Sequence, residues 1–248
     1  MRAMVRRAVP LLLVLAVTCA AHADPGETHV PARPGRSASL STGSPSSGRL
    51  VAGVELRETP HLRRVTGYRR SPNRWATEEL IGLLERAAAR VAQRIPGSRV
   101  SVGDLSGPAG GPLPFHRSHQ SGRDVDIAPF MLDRSGAPVE ALRFVSFADD
   151  GLGEVPFRNL RFDDPRNWEL VTALVEDPDT RVQSIFVNAG LERRLLAEGR
   201  SRGASPALVE RVRIVVSQPH VRHPHRNHFH VRIECPPDDR RSCTDRRR

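Results

Sequence analysis

In the stretch Asp124-Val125-Asp126-Ile127-Ala128-Pro129-Phe130, apolar and acidic residues alternate. Side chains of an extended strand point to its two faces in turn, so Val125 and Ile127 share one face and Asp124 and Asp126 the other. The stretch therefore reads as a strand that carries two carboxylates side by side. Upstream lies a loop rich in Gly and Pro, running through Gly110-Gly111 to His116. Before it the chain reads as a strand at about 99–102. Leu80, Leu83, Leu84, Ala87, Ala88, Val91 and Ile95 recur at helical spacing, and Pro96-Gly97 ends that pattern. Downstream, Asp164-Pro165 opens a second helix, with Asp164 as N-cap and Trp168, Val171, Leu174 and Val175 as its apolar stripe. A strand over 182–187, a short helix over 191–196 and a helix capped by Ser205-Pro206 follow. Closing strands are expected over 214–217 and 228–233. Mixed runs of this kind predict an α+β fold, a small, mostly antiparallel sheet with flanking helices.

The N-terminus sets the compartment. Arg2, Arg6 and Arg7 precede an apolar run over 11–17, and Ala21-His22-Ala23 supplies the small residues of a cleavage site. The run is too short for a permanent membrane span. Residues 1–23 are expected to be a removed secretory signal, leaving no integral membrane segment. Residues 24–48 are rich in Pro, Gly and Ser without apolar periodicity and read as a disordered linker. One domain is then expected over 49–243, followed by a basic tail over 244–248. Removal of the signal takes Cys19 with it and leaves Cys235 and Cys243, an even pair expected to form a disulfide in an oxidising compartment.

The formal charge of +10 falls to +7 without the three signal arginines, and arginine carries all of the fixed side-chain positive charge because lysine is absent. Aromatic residues make up only 4% of the chain and form no basic–aromatic repeat, which argues against nucleic acid as a partner. A basic surface suits an anionic polymer such as cell-wall material.

Seven of the ten histidines fall into two clusters. His116 and His119 precede the acidic strand; His220, His223, His225, His228 and His230 crowd the C-terminal one. In His228-Phe229-His230 the two imidazoles project from the same strand face, about 6.5–7 Å apart along the chain. Zinc chemistry asks for three protein ligands of nitrogen or oxygen type and one open position. Two histidines and a carboxylate meet that need, and spacing leaves Asp124 and Asp126 as equal candidates for the carboxylate.

The segment from Gly103-Asp104-Leu105-Ser106 through Gly110-Gly111-Pro112 to SHQSGRDVDI at 118–127 resembles the penicillin-insensitive murein endopeptidases. So does HRNHFHVRIECP at 225–236. The resemblance implies a single zinc-peptidase domain related to D-Ala-D-Ala dipeptidases and carboxypeptidases and to the hedgehog signalling domain. It implies His119, Asp126 and His230 as zinc ligands, His228 as the neighbouring catalytic histidine, and His225 as a second histidine that orients substrate or stabilises charge. His116 matches a family histidine that can join a second metal site; no histidine lies between His119 and His220 to complete one.

The expected activity is that of a zinc metallopeptidase, not a serine-type enzyme. It would hydrolyse D-alanyl–diamino acid cross-links of peptidoglycan in the periplasm. Trimming of uncrosslinked stem peptides by a zinc carboxypeptidase, or wall binding by an inactive module, are the alternative readings. A homodimer is compatible with the sequence.

Overall fold

The computed structural model describes residues 37–219 and 225–245. The expected signal, the first part of the expected linker, His220, His223 and the terminal arginines 246–248 lie outside them. A hairpin opens the described chain, β1 (Leu40–Ser44) against β2 (Ser47–Val51). The central strands are β3 (Leu62–Arg64), β4 (Val100–Val102), β5 (Asp124–Ala128), β6 (Val182–Phe186), β7 (Val216–Ser217) and β8 (Phe229–Ile233). They form one six-stranded sheet in the order β7-β6-β8-β5-β4-β3. The β6/β8, β8/β5 and β4/β5 pairs are antiparallel, and β3/β4 and β6/β7 are parallel. The fold is α+β.

Helix α1 (Glu78–Arg94) starts at Thr77, whose Oγ1 accepts from Leu80 N at 3.4 Å, and its first turn carries Glu78 and Glu79 toward the positive end of the helix dipole. Leu80, Leu83, Leu84, Ala87, Ala88 and Val91 are buried on one stripe, which joins Val125, Ile127, Phe229, Val231 and Ile233 in a single apolar cluster. Helix α2 (Asp164–Val175) lies beside α1 in the same cluster. Its cap is Asp163, not Asp164: Asp163 Oδ1 accepts from Arg166 N at 3.2 Å, and Asp164 pairs with Arg194 of the next helix. With two adjacent aspartates, only the backbone conformation chooses which of them caps. Asn167 fixes α2 to the end of β5 by exchanging hydrogen bonds of 2.8 Å with the backbone N–H and C=O of Phe130.

Several element bounds differ from expectation. Helix α3 (Ala189–Ser201) is twice as long as its apolar residues suggest, because Asn188 caps it before Leu191 and its last turn runs past Leu196 through Ala197, Glu198 and Gly199 without a large apolar residue. Helix α4 (Pro206–Val215) consumes Ile214 and Val215, leaving β7 only two residues.

The expected linker also ends sooner than residue 48. The β1–β2 hairpin is held by backbone pairing, by Ser41 N donating to Asp239 Oδ2 at 2.7 Å, and by Glu78 N donating to Ser39 Oγ at 2.9 Å. Few large apolar side chains take part, so composition conceals it. At the other end Thr244 N donates to Gly43 O, and Asp245 accepts from the fully buried Arg123 at 2.7 Å, so the folded unit continues past residue 243. Cys235 and Cys243 are joined in a disulfide beside this closure. No helix among the described residues is long and apolar enough to cross a membrane.

Candidate metal centre

Antiparallel pairing of β5 with β8 sets Asp126 opposite His230 and Asp124 opposite Arg232. Alternation then turns Asp124, Asp126, His228, His230 and Arg232 to the sheet face away from α1 and α2. The third contribution, His119, arrives on the loop before β5. Its backbone is left-handed, with φ of 67°, a conformation that costs a non-glycine residue energy and so needs support. Ser106 Oγ donates to the His119 carbonyl and accepts from Gly122 N at 2.9 Å, and His119 N donates to Asp124 Oδ2 at 3.3 Å. Gly122 itself sits at φ 74°, and a Cβ there would lie 2.6 Å from Leu50 Cδ1. The glycine is required by conformation and by space.

These constraints bring three atoms into a triangle. Asp126 Oδ1 lies 3.3 Å from His119 Nε2 and 3.1 Å from His230 Nδ1, and the two nitrogens are 3.3 Å apart. Ligands about 2.0 Å from a tetrahedral ion are separated by about 3.3 Å, so the edges fit a single small cation. Asp126 Oδ1 is buried and makes no hydrogen bond of proper geometry despite the imidazoles around it. A cation held between that oxygen and the two nitrogens would account for that, since a buried carboxylate oxygen is costly unless charge compensates it. Burial favours the neutral Asp126 carboxyl, but His228 and His119 beside it prevail and hold it well below the usual carboxylate range.

Asp124 does not enter the triangle. Burial opposes its charge, yet Arg232 and His230 keep the carboxyl far below its ordinary value, so it is ionised and accepts. It accepts from His230 Nε2 at 2.9 Å and Arg232 Nε at 2.6 Å, both at Oδ1. His230 Nδ1 is thereby turned to the triangle. Burial pushes His230 down, but the hydrogen bond to Asp124 and the Asp126 carboxylate beside it raise it to about 9.

His228 stands at the edge of the triangle, its Nε2 3.4 Å from Asp126 Oδ1. Its Nδ1 is 2.7 Å from Asn227 Oδ1, an oxygen that only accepts, so Nδ1 carries a proton. Burial, ahead of the opposing Asp126 charge, lowers its pKa and favours the neutral ring. The ring stacks on Phe144 and meets His225 edge to face at 5.0 Å between centres. His225, also left-handed at φ 47°, is 5.7 Å from His230 by the same measure. His116 lies on the far side: Nε2 is 3.1 Å from Asp104 Oδ2 and Nδ1 is 3.8 Å from Asp126 Oδ2. Hydrogen bonding to Asp104, against the effect of burial, raises its pKa.

All six predicted site residues thus meet around Asp126, in two groups that could each hold a metal ion, His116 with His119 and Asp126, and His225 with His228 and His230. They line one cleft of about 490 Å³, with Phe115, Arg117, Ser118 and Phe186 on its walls. Asp104, Ser106, Asn227 and Arg232 were not foreseen. Arg232 was within reach, since it is the next residue after His230 on the same strand face. Asn227 is the chain neighbour of His228, whereas Asp104 and Ser106 become neighbours only when the loop over 103–122 packs against β5.

A sheet face carrying two imidazoles and a carboxylate at the floor of an open cleft, with further histidines at its edge, gives this α+β protein a candidate metal centre. The chain belongs to the penicillin-insensitive murein endopeptidase family, whose sequence profile matches residues 41–248. It is 29% identical over 245 residues to a penicillin-insensitive murein endopeptidase of Escherichia coli (strain SE11), an alignment covering 94% of this chain and 79% of that protein. The protein of the same name from Escherichia coli (strain SMS-3-5 / SECEC) is 29% identical over 239 residues with the same coverage.

Proposed function

We propose that this protein is a zinc-dependent murein endopeptidase that hydrolyses D-alanyl–diamino acid cross-links of peptidoglycan. The observation that carries the reading is the 3.1–3.3 Å triangle of His119, Asp126 and His230 around a buried, unbonded carboxylate oxygen. Those three residues would hold the ion. Lewis acidity is what a bound zinc ion supplies, polarising a carbonyl and bringing the pKa of water to about 7.

The chain's own groups do the rest. His228, protonated at Nδ1 toward Asn227, offers a neutral Nε2 to accept a proton from water and deliver it to the leaving amine. His225 packs against both His228 and His230 and closes the cleft on that side, where it orients substrate. His116, between Asp104 and the second oxygen of Asp126, compensates the carboxylate's charge in this reading and leaves no second ion to invoke. The basic, arginine-rich surface attracts the anionic wall polymer. Export to the periplasm fits the N-terminal segment and the Cys235–Cys243 disulfide.

The test is digestion of purified cross-linked murein by the zinc-loaded protein, with and without chelator, and product analysis by mass. Conversion of dimeric muropeptides to monomers, abolished by chelator, is expected. Shortened monomers with intact dimers would instead identify a carboxypeptidase, and unchanged muropeptides would overturn the peptidase reading.

A further inference from the structure

Arg232 is held through its Nε and remains partly accessible. Its Nε donates to Asp124 Oδ1 at 2.6 Å, and its guanidinium carbon lies 5.7 Å from the centre of the Phe186 ring, which is itself stacked on His230. An arginine presents five N–H donors in a rigid fork, and only Nε is used here: among the described residues no protein group accepts from the Nη nitrogens. The side chain keeps 16% of its surface accessible. It borders two cavities at once, the cleft of the metal centre and an adjoining hollow of about 640 Å³ bounded by Ser184, Ser217 and Arg240.

A guanidinium fixed by an ion pair and an aromatic face, with a free pair of donors, is prepared for a planar anion. Its distance from the reacting centre is short, since one carboxylate oxygen bridges it to His230. We propose that the Nη edge of Arg232 binds a substrate carboxylate carried on the carbon next to the scissile amide nitrogen. Arg232 is then a specificity-determining residue. When the cross-link is made through a diaminodicarboxylic acid, that carbon bears a carboxylate; when it is made through a diaminomonocarboxylic acid, it bears only hydrogen. The hollow beyond Arg232 receives the rest of the departing strand. This inference rests on the murein endopeptidase reading.

The experiment compares synthetic cross-linked dimers that differ only at this carbon, with a free carboxylate, a carboxamide or hydrogen. Charge-assisted hydrogen bonding should make kcat/KM for the carboxylate dimer on the order of tenfold or more above that for the carboxamide. In Arg232→Gln that ratio should collapse toward one, with zinc content checked by elemental analysis. Equal cleavage of all three dimers by the wild-type protein overturns the inference while leaving the endopeptidase reading intact, and needs no variant to fold. A variant that loses activity but keeps the wild-type ratio overturns it too, since Arg232 would then act only through Asp124. If the zinc-loaded wild type cleaves none of the dimers, the murein reading itself fails and the inference falls with it.

Discussion

Asp124 Oδ1 accepts from His230 Nε2 at 2.9 Å, and this one bond decides which nitrogen of His230 faces Asp126. An ionised carboxylate can only accept, so His230 carries its proton on Nε2 and presents Nδ1 to the triangle. Asp124 is therefore the orienting carboxylate and Asp126 the candidate ligand. Asp124→Asn should weaken zinc binding about 10- to 100-fold, measured by competition with a chromophoric chelator. An unchanged affinity would remove Asp124 from this role.

His119 and His228 should separate in metal retention. His119→Ala deletes a corner of the triangle and should abolish stoichiometric zinc, together with the rise in Tm that zinc gives a protein binding it only when folded. His228→Ala should keep both and lose about 10²- to 10⁴-fold in turnover. Normal turnover by that variant would disprove the proton-carrying assignment.

Gly122→Ala tests the loop that delivers His119. The added methyl meets Leu50 Cδ1 at 2.6 Å in a backbone conformation that alanine disfavours. Destabilisation of about 1–3 kcal/mol is expected, lowering Tm by several degrees in calorimetry. A neutral effect would mean that the loop relaxes without cost.

Asp177 ties α1 to the turn after α2. It accepts from Arg86 at 2.8 Å through both oxygens and caps the turn by accepting from Thr180 N at 2.8 Å. Burial would raise its pKa, but the Arg86 hydrogen bonds and the turn amides lower it. A carboxyl depressed in the folded state contributes stability above its unfolded value, and loses it as pH falls through the folded one. Asp177→Asn should cost about 1–2 kcal/mol at neutral pH, discounted for the partial exposure of Arg86. The difference from wild type should narrow progressively as pH falls below about 4. Urea unfolding at pH 7 and pH 3 checks this; an equal loss at both would assign the effect to packing.

Legibility differed by the kind of interaction. Helix α1 and strand β5 could be read because apolar residues recur along them with a local period, 3.6 residues in Leu80 to Val91 and 2 residues in Asp124 to Ala128, even though both faces of β5 are buried. Residues 40–48 of the hairpin read as linker because its stability comes from backbone pairing and from Asp239, almost two hundred residues away. The cap of α2 was placed one residue late for want of a backbone conformation to distinguish Asp163 from Asp164.

The site divides along the same line. Residue types and short spacings nominated the two histidine clusters and the Asp124/Asp126 pair, since a strand places alternate residues on one face whatever surrounds it; the family resemblance singled out His116, His119, Asp126, His225, His228 and His230 among them. Choosing between Asp124 and Asp126 was beyond spacing, because the two are equivalent along the strand. Only the register of β5 against β8 breaks that equivalence, by setting Asp126 across from His230 and Asp124 across from Arg232. The sequence by itself determined which groups are available; tertiary structure decided which oxygen faces the triangle and which holds the histidine, because that depends on pairing between segments a hundred residues apart.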